Sequence, residues 1–189
     1  MARPRSEEKR KALLEAATEI FSKRGLSAPT ASITETAGLA EGTLFVYFKD
    51  KDDLINCLYQ ELKKDLAQAI LSNYPNKASI QNRTKHLWNK YVEWGIQNPK
   101  QIALLHKLKV WEGLKPETRE ASMAHCTELQ DLIETAIKDN IFRKVPHEFI
   151  TTMLSAQAEA TMQFMKNFPK QANFYKDKGF EIFWNGICQ

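Results

Sequence analysis

The sequence predicts an all-α protein of about nine helices, and three observations carry that expectation. Apolar residues recur at i, i+3 and i+4 spacing along nearly the whole of the 189 residues. No run shows the strict alternation, bounded by turn residues, that marks a strand. Pro29, Pro75, Pro99, Pro116, Pro146 and Pro169 fall between the periodic segments, where a missing N–H and a fixed φ do no harm.

Composition sets the class. At 43% hydrophobic and 26% charged, the chain lies in the globular range and should bury about 70% of its unfolded surface, which excludes disorder and collagen-like repeats. The longest unbroken apolar run, Leu44 to Phe48, is five residues, and a membrane span needs roughly 20. The charged N-terminus lacks the apolar core of a secretory signal, so a cytoplasmic protein is expected. Cys57, Cys126 and Cys188 form no C-x-x-C pair, which suits a reducing compartment and leaves no disulfide framework, zinc cage or other cofactor to expect. The net charge of +4 is not concentrated at the N-terminus, because residues 1–65 hold eleven basic and eleven acidic side chains. Any attraction for nucleic acid there must be local, from Arg3, Arg5, Lys9, Arg10 and Lys11, then Lys49 and Lys51.

The first helix should begin after an N-cap at Ser6, with Glu7 and Glu8 at the positive end of its dipole, and end at Gly25 behind Lys23 and Arg24. Leu13, Ala17, Ile20 and Phe21 form its buried stripe. A short second helix follows, capped by Thr30 or Ser32; Ser32-x-x-Glu35 has the capping-box spacing, and Gly38 closes the helix. Only Leu39 and Ala40 separate it from a third short helix, about Glu41 to Phe48. Asp50 then caps a long fourth helix, in which Leu54, Leu58, Leu62, Leu66 and Ile70 repeat at i+4 before Pro75. Further helices are expected near 79–97, 100–112, 117–139, 147–167 and 172–187. This divides the chain into a three-helix unit, residues 1–52, and a larger helical domain, residues 53–189.

Two short helices joined by a tight glycine turn and packed on a longer one are what a helix-turn-helix reader of the DNA major groove requires. In Glu41-Gly42-Thr43-Leu44-Phe45-Val46-Tyr47-Phe48, Leu44 and Phe48 lie one turn apart and can be buried together, leaving Gly42, Thr43, Phe45 and Tyr47 to point elsewhere. Gly42 permits close backbone approach, Thr43 and Tyr47 suit phosphates or base edges, and Phe45 suits thymine methyls. Taken alone, Phe45 and Tyr47 are equally compatible with core filling.

The stretch resembles the tetracycline-repressor (TetR) family of bacterial transcriptional regulators. The matching residues are Ala16-Ala17-x-x-x-Phe21-x-x-x-Gly25, Thr30-x-x-Ile33-x-x-x-Ala37-Gly38-Leu39, and Gly42-Thr43-Leu44-Phe45-x-Tyr47-Phe48-x-x-Lys51-x-x-Leu54, over roughly residues 8 to 60. The resemblance implies that Thr30 touches phosphate, that Gly42, Thr43, Phe45 and Tyr47 face the groove, and that Lys51 holds a backbone phosphate, with Ala31, Glu41 and Lys49 completing the DNA-facing set. Three residues depart from the family pattern. Ala40 replaces a frequent capping Ser, a loss of about 1 kcal/mol; Glu41 replaces Lys or Gln and either turns away or accepts from cytosine N4; Thr34 replaces Ala and can bond back to the carbonyl four residues earlier.

What the resemblance implies beyond this is a homodimer on palindromic double-stranded DNA with half-sites about 34 Å apart, most simply a repressor released by a small, largely apolar effector. Coupling through the fourth helix would change the separation of the two recognition helices. The expected seam uses the last two helices, through Ser155, Ala156, Ala158 and Ala160, and Phe180, Phe183, Trp184 and Ile187, which alternatively fill the monomer core. Large adaptable side chains, among them Tyr91, Trp94, His106, Trp111, Met123 and Met162, suit an effector pocket or, equally, ordinary core. Two other readings compete with this one. An enzyme lacks support because there is no Gly-rich phosphate loop, G-x-S-x-G or H-E-x-x-H. A redox sensor would use Cys57 on the fourth helix.

Overall fold

The structure, a computed structural model, describes residues 6–189; Arg3 and Arg5, named above for their charge, lie outside the described residues. The elements are α1 (Glu7–Arg24), α2 (Thr30–Thr36), a 3-10 turn (Glu41–Thr43) running into α3 (Leu44–Tyr47), α4 (Lys51–Leu71), α5 (Ile80–Gln97), α6 (Pro99–Lys109), α7 (Pro116–Met123), a 3-10 turn (Ala124–Cys126), α8 (Thr127–Lys138), α9 (His147–Asn167), a 3-10 turn (Pro169–Gln171) and α10 (Ala172–Ile187). Among the described residues the only β pairing is one isolated bridge between Phe142 and Cys188, so the expected all-α class holds. No described helix is long and apolar enough to cross a membrane.

Each expected helix is present, with one of them divided. The stretch 117–139 breaks at Ala124–Cys126. Just before the break, the Ser122 hydroxyl donates to the Thr118 carbonyl at 2.7 Å, a back-bond that bends helices. Several expected termini hold. Gly25 and Gly38 take φ values of 79° and 67°, the left-handed conformation that only glycine adopts cheaply. Asp50 caps α4: its Oδ1 accepts from the Asp53 N–H at 2.8 Å, and Asp53 Oδ2 accepts from the Lys49 N–H at 2.9 Å.

The capping box at Ser32 and Glu35 does not form. Pro29 occupies the N-cap of α2, and its fixed φ starts the helix at Thr30, so Ser32 already lies inside the first turn. Its hydroxyl instead accepts from Arg24 Nη1 at 3.2 Å. Ser6 sits at the N-cap of α1 as expected, but its side chain makes no capping bond.

The chain forms two compact units, one of residues up to Lys64 with Pro99–Ser122, the other of Asp65–Asn98 with Met123–Gln189. In the first, α1 packs on α2 and α6 around Phe21, Ile33, Leu44, Phe48, Leu54, Leu58 and Leu104, all fully buried. Asn56 on α4 is buried here too. Its amide donates to the Asp52 and Gly113 carbonyls at 2.9 and 3.0 Å and accepts from the Lys115 N–H at 3.0 Å, fixing the turn between α6 and α7. In the second unit α9 packs on α10 and both pack on α5. Its centre is Trp88, which is completely buried, stacks on Phe183 with ring centroids 5.6 Å apart, and donates from Nε1 to the Lys176 carbonyl at 3.0 Å. A Cβ on Gly179 would overlap Thr161 and Trp88, so glycine is what lets α10 approach this closely.

Candidate nucleic-acid interface

The left-handed turn at Gly38 is followed by Ala40 in extended conformation (φ −65°, ψ 145°), which reverses the chain into the element Glu41–Tyr47. That element lacks a side-chain cap, as Ala40 implied, and it starts as a 3-10 turn. Leu44 and Phe48 anchor it to the core with essentially no exposure. One residue past the first anchor, Phe45 is 53% exposed, and Val46 is 51% exposed. Glu41 and Gly42 are also exposed, with open space where a Gly42 side chain would lie, and Thr43 and Tyr47 are half-buried. Core filling, left open for Phe45 by the sequence, is therefore wrong.

Val46 is an addition to the residues expected at this face. It lies four residues after Gly42, on the same helical face, and that spacing was the signal available.

Thr30 is half-buried at the first position of α2 and Ala31 is exposed beside it; Lys49 is exposed. Lys51 is half-buried at the start of α4, with Nζ 5.9 Å from the centre of the Phe21 ring, a cation–π approach that leaves the ammonium near the surface. Thr34 is buried, and its hydroxyl bonds back to the Ala31 carbonyl at 3.0 Å, more closely than to the Thr30 carbonyl expected, which is 3.5 Å away. The Tyr47 hydroxyl accepts from the Ser6 backbone N–H at 2.9 Å. On the next turn of α1, Arg10 lies 5.9 Å from the centre of the Phe48 ring and its Nη1 bonds Glu61 Oε1 at 3.0 Å.

Cys57 is half-buried, and burial first, then the charge of Asp53, pushes its thiol pKa up against the opposing pull of Arg10. A thiol held protonated is a poor nucleophile for oxidants, which argues against the redox reading.

The six expected pocket residues are divided between the two units. Tyr91, Trp94, Met123 and Met162 belong to the second unit and His106 and Trp111 to the first. Trp94 and Met162 are buried core, whereas Met123 is exposed. Burial raises the Tyr91 phenol pKa, and the charge of Glu159 adds to the effect. A surface cleft of about 440 Å³ is lined by Pro169, Lys170, Gln171, Ala172, Asn173 and Phe174, none of them expected. Within the second unit, His86 Nε2 and Asn89 Oδ1, one turn apart on α5, and His147 Nε2 on α9 are buried without a hydrogen-bond partner, an unusual condition for polar atoms.

The expected seam needs correction. Ala158, Phe180, Phe183 and Ile187 are buried inside their own chain. Ser155 and Trp184 are half-buried, Trp184 against the rings of Phe142 and Phe180. Both helices are apolar on two faces, so periodicity alone cannot say which face turns inward; the packing of Trp88 and Gly179 decides it. The outward face carries Phe149, Met153, Phe164 and Ile182, each at least 43% exposed, with Ala156 and Ala160 between them.

Residues 13–58 match the family model described as bacterial regulatory proteins, tetR family. The fatty acid metabolism regulator protein of Bacillus subtilis (strain 168) is 25% identical over 80 residues, which is 42% of this chain and 41% of that protein. The chain thus aligns with about two fifths of that relative's length. Among solved structures, a tetR family transcription regulator from Shewanella sp. PV-4 superposes with a TM-score of 0.87 at 23% identity, covering 98% of this chain and 100% of the other. The transcriptional regulator FadR from Bacillus subtilis in complex with stearoyl-CoA superposes with a TM-score of 0.70 at 16% identity, covering 94% and 98%. These likenesses establish the fold.

Proposed function

The chain carries the N-terminal head of the tetR family of bacterial regulatory proteins, and from that premise we propose that it is a sequence-specific regulator of transcription and not an enzyme. Residues 1–52 read a palindromic operator, and residues 53–189 pair two copies and sense a small molecule. The observation that carries this reading is the exposure of Phe45 and Val46 on an element whose Leu44 and Phe48 are fully buried. A firmly anchored helix that holds two large apolar side chains in water is built to be covered, and a thymine-methyl-lined major groove suits that face. Thr30, Ala31, Glu41, Gly42, Thr43, Lys49 and Lys51 surround it and supply backbone and base-edge contacts.

Pairing uses the outward face of α9 and α10, where Phe149, Met153, Phe164 and Ile182 are exposed. Ala156 and Ala160, also exposed, allow the helices of two copies to approach closely. The effector is largely apolar with a polar end. Support comes from the stearoyl-CoA bound to the Bacillus subtilis structure of the same fold and from the unpartnered polar atoms of His86 and Asn89 in the second unit. Repression with release on binding is the simplest regulatory outcome.

Selection from a pool of random-sequence duplexes tests the reading. The expected result is an enriched palindrome whose half-site centres lie about one helical turn, or a multiple of it, apart. No duplex retained at low ionic strength overturns it.

A further inference from the structure

What the element Glu41–Tyr47 offers to a base is mostly hydrocarbon. Phe45 and Val46 are exposed, while Leu44 and Phe48 hold the element to the core. Gly42, one turn before Val46, is exposed with open space where a side chain would lie, so the backbone there can come close to another surface. Thr43 and Tyr47 are half-buried, and the Tyr47 hydroxyl already accepts from the Ser6 N–H at 2.9 Å. Guanine and adenine are distinguished in the major groove by paired hydrogen bonds from Arg, Lys, Asn or Gln, and this element is built from other residues. Its one acidic side chain, Glu41, as a carboxylate accepts hydrogen bonds and donates none.

We propose that Phe45 and Val46 read the C5-methyl group of a pyrimidine, so that the chain accepts thymine and 5-methylcytosine alike at the positions these residues cover. The proposal rests on the DNA-binding reading and deepens it: it names the chemical group that is recognised and makes cytosine methylation a signal the protein senses. Thymine presents its methyl on the major-groove edge, and 5-methylcytosine carries the same group on the same ring carbon. The two bases differ at C4, where thymine has a carbonyl acceptor and cytosine an amino donor. A benzyl or isopropyl group forms a conventional hydrogen bond with neither, so these two residues leave that difference unread. Loss of the methyl, in contrast, removes apolar surface that they would cover. Consecutive helical residues point about 100° apart, so Phe45 and Val46 meet methyl groups at two separate places in the groove. Val46 is thereby a specificity-determining residue.

The test is fluorescence anisotropy with variants of the selected duplex, changed symmetrically in both half-sites. Uracil in place of thymine removes only the methyl group. Replacing a T·A pair by C·G, and then methylating that cytosine at C5, removes the group and puts it back. At two pyrimidine positions in each half-site, uracil is expected to weaken binding about 4-fold for each methyl lost, or about 16-fold for a symmetric pair. Methylating the substituted cytosine recovers the same factor relative to unmethylated C·G. The dependence on salt stays that of the unmodified duplex, because no phosphate contact changes. Val46→Ala removes most of the methyl effect at one of these positions and Phe45→Ala at the other. Both side chains lie at the surface, and thermal unfolding midpoints confirm that the variants fold.

A selected half-site without thymine overturns the proposal. So do uracil substitutions without effect at every thymine, or methylated C·G pairs bound no better than unmethylated ones. A methyl effect that persists in full in both variants also overturns it, because the group is then sensed through DNA shape or by other residues. A wild-type chain that holds no duplex at low ionic strength is a separate result, which overturns the DNA-binding reading itself.

Discussion

Phe45→Ala and Leu44→Ala exchange neighbouring residues of one helix, and the structure predicts opposite consequences. Leu44 has no exposed surface. Truncating it leaves a cavity and costs about 2–5 kcal/mol, or roughly 4–20 °C in Tm for a chain of this size. Phe45 is 53% exposed, so its removal changes stability by no more than about 0.5 kcal/mol, the usual limit for surface positions. Its effect belongs to DNA binding. Complete burial of a phenylalanine side chain contributes about 1.5–3 kcal/mol, and roughly half of that is available when the groove covers the exposed half, about 0.8–1.6 kcal/mol per copy. This corresponds to a loss of about 4- to 15-fold for one half-site, and the square of that factor for a palindrome held by two copies. Fluorescence anisotropy with the selected duplex measures the affinity, and scanning calorimetry measures Tm. A Phe45→Ala chain that loses several degrees of Tm yet binds DNA at the wild-type level would refute the outward placement of this side chain.

Three further predictions come from other parts of the molecule. Ile182→Glu, on the outward face of α10, should convert a dimer to a monomer in light scattering without unfolding it, whereas Phe183→Glu should prevent folding because Phe183 is only 2% exposed and stacks on Trp88; a wild-type monomer would end the pairing proposal. Asn56→Ala should cost about 2–4 kcal/mol because it strips partners from the Gly113 carbonyl and the Lys115 N–H within the first unit, and a Tm like wild type would contradict that role. Stability should fall as pH rises above about 9. Burial pushes up the Cys57 and Cys188 thiols and the Tyr59, Tyr74 and Tyr91 phenols, so the unfolded chain releases these protons first; the contribution is complete below the ordinary thiol value of 9.0 and is lost as pH climbs towards the raised folded values. A Tm unchanged between pH 7 and 10 would count against it.

Features written in local chemistry were legible in the sequence. The glycine turns at Gly25 and Gly38, the cap at Asp50, and the pairing of Leu44 with Phe48 depend on residues within a turn or two of one another, and the structure has them as expected. Features decided by distant packing were not legible. Ser32 and Glu35 have the spacing of a capping box, but Pro29 starts the helix before it can form. Which face of α9 and α10 turns inward depends on Trp88, 59 residues before the start of α9. The candidate reading surface was largely visible as a motif, apart from Val46. The bond from Tyr47 to Ser6 spans 41 residues, and no spacing rule reaches that far.

The claim at the centre is that the Glu41–Tyr47 element meets duplex DNA with its Phe45 face. A photoreactive benzophenone side chain placed at position 45, and in a second sample at the exposed Ile96, tests it by irradiation on the selected duplex. Crosslinks to DNA bases in both half-sites from position 45, and none from position 96, are the predicted result. DNA crosslinked from position 96 while position 45 yields none would contradict the account.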